Sequence, residues 1–183
     1  MPCATTLYFD LETDAAIRRL WQAIEDAGLP STMLNIGYRP HLTLSVCESL
    51  ALDAMRADLS ALMAAFRPIP LTFPNLGSFL QAEGVVFLGV TVTPALLDLH
   101  AQIWHLSEAH TIGVSGYYAP GVWVPHVTLG YGLVQEQVGS VINTLLKAPL
   151  PASGMATELV VTDVSPSGYV DLFAAHLNDR QIE

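Results

Sequence analysis

Pro40-His41-Leu42-Thr43-Leu44 and Pro125-His126-Val127-Thr128-Leu129 are two copies of one pattern, Pro-His-apolar-Thr-Leu. The first copy opens a run, His41 to Val46, that alternates and is rich enough in β-branched residues to be a strand. The second lies in a similar run, Val124 to Tyr131. Side chains two apart on a strand share a face. His41 therefore projects with Thr43, and His126 with Thr128, while Leu42, Leu44, Val127 and Leu129 pack behind them. Ser45 and Cys47 continue the parity of the first copy and are expected on the floor of any cleft the histidines face.

The same grammar surrounds each copy. Before the first lie a strand, Ala4 to Asp10, and a helix from Thr13 whose Ile17, Leu20, Trp21 and Ile24 recur at helical spacing, closed by Gly28 and Pro30. After it come a helix from about Ser49 to Phe66 and an extended stretch, Ile69 to Leu80, broken by Pro70, Pro74 and Gly77. The second half starts with an apolar strand from Gly84, followed by a helix with Thr93 as N-cap and Pro94 at its first position. A Gly- and Tyr-rich loop, Gly113 to Gly121, leads to the second motif. A helix from Gln135 to Lys147 follows, then strands Glu158 to Val164 and Tyr169 to Ala174 joined by the turn Ser165-Pro166-Ser167-Gly168. Ala4 to His41 spans 37 residues and Val85 to His126 spans 41; His41 to Ile69 spans 28 and His126 to Ala156 spans 30. An internal duplication, approximately residues 4–80 and 84–175 within a single bilobal unit of 1–183, explains that agreement.

Composition bounds what such a chain binds. The 183 residues are 51% hydrophobic and 13% charged, with seven Lys and Arg against seventeen Asp and Glu, a formal charge of −10. Disorder is excluded by the hydropathy, and an extended nucleic-acid duplex is not an expected partner because backbone binding needs a dense basic surface. Cys3 and Cys47 make no disulfide framework and no CxxC spacing, so reduced thiols are expected. The opening MPCATTLYFDLETD has no basic segment followed by an apolar one, so the chain reads as cytoplasmic. Ala109 to Gln135 carries no Asp, Glu, Lys or Arg, but its Gly, Pro, His and Tyr content argues against a membrane helix.

If the halves face each other about a pseudo-twofold axis, two imidazoles and two hydroxyls converge on one cleft. That set suits phosphodiester hydrolysis or transfer without a metal or other cofactor. A neutral imidazole takes the proton of the attacking water or hydroxyl, a protonated one gives a proton to the leaving oxygen, and the threonines donate to the phosphate oxygens. A lone histidine would read as a satisfied core residue and a lone threonine as an ordinary strand residue; the duplicated context favours chemistry.

The paired PHLTL and PHVTL motifs, with Trp123-Val124 leading into the second, resemble the H-x-T/S-x signatures of the two-histidine phosphoesterase superfamily, which includes the 2′-5′ RNA ligases and RNA 2′,3′-cyclic phosphodiesterases. The resemblance runs from about Ala4 to Ala174. It implies an α+β, LigT-like bilobal fold in which two antiparallel sheets face a central cleft with helices outside. It also implies metal-independent cleavage of 2′,3′-cyclic phosphates or 2′-5′ linkages. By motif, His41 and His126 are the acid/base pair, with His126 activating water and His41 protonating the leaving oxygen, and Thr43 and Thr128 hold the phosphate. Ligase-like members commonly continue into an arginine or aromatic residue, whereas Ser45-Val46 and Gly130-Tyr131 follow here.

Further substrate contacts are expected from Arg39, two residues before His41, and from Tyr117, Tyr118 and Trp123 as a wall on which a base stacks. Their plainer roles are a solvated loop arginine and core or loop packing. Cys47 is not expected to be a nucleophile. His100, His105 and His110 step by five residues, which does not keep them on one helix face, so they read as structural or surface histidines. The acids Glu25-Asp26 and Asp53-Asp58 fall on the polar sides of their helices. The expected partner is a small nucleotide or a short RNA end, with no membrane. Two other readings share these residues: a nucleotide or phosphometabolite-binding module without turnover, and reversible 2′-5′ ligation.

Overall fold

The computed structural model describes residues 1–79, 83–165 and 169–178. Leu80, the end of the expected extended stretch, and Pro166-Ser167-Gly168 of the expected turn lie outside them. In chain order the elements are β1 (Cys3–Phe9), α1 (Leu11–Asp26), α2 (Thr32–Asn35), β2 (His41–Cys47), β3 (Ser49–Leu50), α3 (Leu52–Ala65), β4 (Ile69–Thr72), β5 (Leu76–Ser78) and β6 (Gly84–Gly89). There follow α4 (Pro94–His110), β7 (Thr111–Ile112), a 3₁₀ turn (Gly116–Tyr118), β8 (His126–Leu133), α5 (Gln135–Leu145), β9 (Ser153–Asp163) and β10 (Val170–His176).

Local chemistry sets the helix ends. The Asp10 carboxylate accepts from the Thr13 amide at 2.9 Å, so α1 is capped at Asp10 and starts at Leu11, two residues before the expected Thr13. Thr93 caps α4 through the Leu96 amide at 3.3 Å, with Pro94 at the first helical position. Helix α3 starts at Leu52 and not at Ser49, because Ser49 and Leu50 pair with Ile112 and Thr111 in a short β3–β7 ribbon. Helix α2 and this ribbon carry no periodicity long enough to announce them in sequence.

The fold is α+β with curled antiparallel sheets. One sheet has the order β10-β9-β1-β2, with β4 also pairing β9; the other has the order β5-β6-β8. The pairings trade strands between the sequence halves. Within each half the first strand pairs antiparallel with the motif strand, β1 with β2 and β6 with β8. Beyond the helix that follows each motif, a strand leaves to pair with the first strand of the other half, β5 with β6 and β9 with β1. The helices pack outside, α1 beside α5 and α3 beside α4. Leu7, Leu42, Leu44, Leu159 and Val161 fill the core behind the first sheet, and Val86, Leu88, Val127, Leu129 and Val141 the core behind the second.

Both motif strands carry the same irregularity. On β2 the register with β1 passes from Thr6↔Thr43 to Thr5↔Ser45, which leaves Leu44 as an extra residue. On β8 the register with β6 passes from Phe87↔Thr128 to Val86↔Gly130, which leaves Leu129 extra. Such a β-bulge inverts the alternation beyond it. The expectation that Ser45 and Cys47 line the cleft floor is therefore corrected: both turn into the core, Ser45 at 3% exposure with its hydroxyl 2.9 Å from that of Ser107. Val46 takes the cleft-facing place on β2, and Tyr131 takes it on β8. Among the described residues no helix is long and apolar enough to cross a membrane.

Because β9 belongs to the second half by sequence and to the first sheet by pairing, the two sheets should unfold together. Truncating the fully buried Leu159 to Ala should cost about 2–5 kcal/mol. Urea unfolding followed by tryptophan fluorescence and by circular dichroism should give one coincident transition; two separated transitions would contradict the exchange.

Candidate active site

A cavity of about 700 Å³ lies between the sheets, within the usual range for a small-molecule site. The structure brings His41, Thr43, His126 and Thr128 together in its wall. Each histidine is oriented in the same way. The ring Nδ1 of His41 lies 2.7 Å from the carbonyl oxygen of Arg39, and that of His126 lies 2.7 Å from the carbonyl oxygen of Val124. A carbonyl only accepts, so in each ring Nδ1 carries the proton and, in the neutral form, Nε2 presents a lone pair. The intervening Pro40 and Pro125 favour extended backbone in the preceding residue. The spacing carbonyl-Pro-His is thus the sequence form of a tautomer lock.

Aromatic rings hold the imidazoles in place. Tyr38 lies 5.1 Å from His41. Phe79 meets His126 edge-on at 4.9 Å, and Phe87 lies 5.2 Å from it. Gly77, opposite Phe87 in the β5–β6 pair, makes this possible, because a Cβ there would fall 2.6 Å from the Phe87 ring. Burial pushes both imidazoles below the ordinary histidine value of 6.5; for His41 the Arg39 carbonyl opposes this shift and the nearby His126 adds to it. Both therefore favour the neutral form at pH 7.

The threonines are fixed through their backbones across the two halves. The Trp123 indole N–H donates to the Thr43 carbonyl at 3.0 Å, and the Trp21 indole N–H, from α1, donates to the Thr128 carbonyl at 3.1 Å. Trp21 is completely buried.

Of the other expected contacts, Tyr117, Tyr118 and Trp123 line the cavity, and Tyr117 is 73% exposed at its mouth. One face of Trp123 is covered by the parallel ring of His100 at 3.9 Å, and His100 Nε2 donates to the Tyr118 carbonyl at 2.9 Å. His100 is thus a buried brace for this wall. The Tyr118 phenol is pushed up by burial, with the adjoining Thr43 hydroxyl working against the shift. Arg39 is not among the residues that line the cavity: its guanidinium lies 3.3 Å from Glu158 and 4.0 Å over the ring of Tyr8, which does line it. His105 sits near Glu108 and His110 near Asp58, apart from the site.

Sequence reasoning missed Tyr8, Tyr38, Tyr131 and Tyr169. With Tyr117 and Tyr118 these are all six tyrosines of the chain, and every one lines the cavity. Strand parity supplied a signal for Tyr8, which shares a face with Thr6. Tyr131 became legible only with the bulge, and Tyr38 and Tyr169, whose rings lie 3.7 Å apart, come from distant loops.

The model of the 2′-5′ RNA ligase superfamily matches residues 14–165. No curated protein matches the sequence significantly. Among solved structures, TT0787 of Thermus thermophilus is 17% identical, with 98% of this chain and 100% of that one covered at a TM-score of 0.61. E. coli LigT complexed with 3′-AMP is 18% identical, with 97% and 98% covered at 0.59. Kluyveromyces marxianus Usb1 with uridine monophosphate is 11% identical, with 97% of each chain covered at 0.50. At these identities the likeness is one of fold.

The tautomer assignment has a direct check. Nitrogen-proton correlation spectra at about pH 8, above the histidine range, should show His41 and His126 both protonated on Nδ1. A signal from the Nε2–H form of either would contradict the orientation described.

Proposed function

The chain belongs to the 2′-5′ RNA ligase superfamily, and from that membership and the paired imidazoles we propose that it is a metal-independent phosphodiesterase hydrolysing 2′,3′-cyclic phosphates of nucleotides or RNA ends, or 2′-5′ phosphodiester bonds. The observation that carries the reading is the matched pair of Nδ1-locked histidines, each with a threonine two residues on, in the wall of one cavity.

His126 Nε2 takes a proton from water as the water oxygen bonds to phosphorus. His41, protonated on Nε2, gives its proton to the ribose oxygen as the P–O bond breaks, leaving a phosphomonoester. The proton gained by one imidazole equals that lost by the other, and solvent exchange restores the starting state. Thr43 and Thr128 hydroxyls donate to the non-bridging oxygens as charge builds there. His41 takes that proton up from solvent as the substrate binds: a phosphate anion beside a half-buried imidazole offsets the burial penalty and raises its pKa. If the 5′-hydroxyl of a second ribose attacks the cyclic phosphate in place of water and the 3′-oxygen leaves, the same groups give 2′-5′ ligation.

Two outcomes are expected. Changing His41 or His126 to Ala should lower kcat on a 2′,3′-cyclic nucleotide in EDTA by about 10²-fold or more, with the circular dichroism unchanged. Retained turnover in both variants would defeat the proposal, and saturable binding without product in the wild type would mark a binding module. The pH dependence follows from the lowered pKa values. Productive free protein needs one imidazole charged and one neutral, so kcat/KM should climb as pH falls from about 8 and peak below 6.5. A peak on the alkaline side of 7 would contradict the electrostatics of the cleft.

A further inference from the structure

We propose that this cleft selects its substrate by charge count, accepting a phosphodiester that carries one negative charge on an otherwise uncharged, hydroxyl- or amine-bearing body and rejecting one that brings a second phosphate. The proposal rests on the two-histidine reading and narrows it to a single nucleoside cyclic phosphate over an oligonucleotide end.

Three observations support it. First, the described residues that line the cavity include no Asp, Glu, Lys or Arg. Among the described lining residues the positive charge available to a ligand is therefore imidazolium alone, and one anionic phosphodiester consumes the single imidazolium of the productive state. A second phosphate would lose its hydration with no counter-ion to meet it. Second, the nearest guanidinium is already engaged, since Arg39 pairs with Glu158 at 3.3 Å and lies over Tyr8.

Third, the hydroxyls on both sides of the cleft are turned the wrong way for an anion. Tyr8 donates to Asp171 at 3.0 Å, Thr162 donates to the same carboxylate at 3.0 Å, and Tyr131 donates to Glu83 at 2.9 Å. Burial and Asp171 push the Tyr8 phenol up to about 12, with the Thr162 contact opposing, so it keeps its proton for that bond. A hydroxyl that has given its proton to a carboxylate has only lone pairs left to offer. Lone pairs accept from a ligand N–H or O–H and repel a phosphate oxygen. At Tyr8, Thr162 and Tyr131 the wall thus favours the hydroxyls and amines of a nucleoside, while the carboxylates of Asp171 and Glu83 oppose further negative charge.

The test compares uridine 2′,3′-cyclic phosphate with its 5′-phosphorylated counterpart on the wild-type chain, by initial rates and by calorimetric titration, which registers binding with or without turnover. The 5′-phosphate should lower affinity and kcat/KM by about tenfold or more. Replacing the exposed Asp171 by Asn, which keeps an oxygen acceptor for Tyr8 and Thr162 and removes the charge, should shrink that ratio about threefold or more. Equal affinity for the two ligands, or a ratio indifferent to D171N, would overturn the inference. Charge-selective binding without turnover of either compound would instead overturn the phosphodiesterase reading and leave the selection intact.

Discussion

Strands β2 and β8 are both edges. Each ends its sheet, and each carries one of the two Pro-His-apolar-Thr-Leu motifs, so the cleft is the place where two sheet edges meet without pairing. An edge strand exposes backbone groups that invite pairing with another strand, and two of them face to face would be expected to zip into one continuous sheet. The bulges at Leu44 and Leu129 interrupt each edge strand at the last residue of its motif. The indoles of Trp123 and Trp21 occupy the carbonyls of Thr43 and Thr128 from across the molecule. With the edges kept apart in this way, the histidines and threonines face a cavity and not a neighbouring strand.

The same arrangement sets the electrostatics. Strand exchange places β1 between β2 and β9, so Tyr8 and Thr162 join His41 on one cleft face, and the carboxylate of Asp171 lies behind them. The imidazoles are the only groups in the described lining that can become cationic near neutral pH, and burial keeps them neutral until an anion arrives. The overall charge of −10, which argues against long polyanions at the level of the whole chain, has a local counterpart in a cleft built from tyrosine and threonine.

Much of this was legible in the chain because its signal is short-range. Strand parity places His41 with Thr43 and His126 with Thr128, and the matched spacing of the halves points to duplication. What was not legible depends on pairing between distant segments. Ser45 and Cys47 were expected on the cleft floor because alternation was carried through Leu44, and nothing in Thr43-Leu44-Ser45 announces a bulge; the register with Thr5 and Thr6 does. The partners of β5 and β9 are likewise invisible, since a strand that stays in its own half and one that crosses over have the same local pattern. Tyr38 and Tyr169 reach the cavity from loops whose sequence says only that they are loops. Arg39 shows the converse: its closeness to His41 in sequence suggested a phosphate contact, and Glu158, brought beside it by the β1–β9 pairing, holds it elsewhere.

The central claim is that the two Nε2 atoms flank one phosphorus. A crystal structure of the protein with inorganic phosphate tests it most directly. The account predicts a single anion in the cavity, within hydrogen-bond distance, about 2.7–3.2 Å, of Nε2 of both His41 and His126 and of the hydroxyls of Thr43 and Thr128. Phosphate held by one imidazole alone, or bound outside the cleft while both Nε2 atoms face solvent, would contradict it.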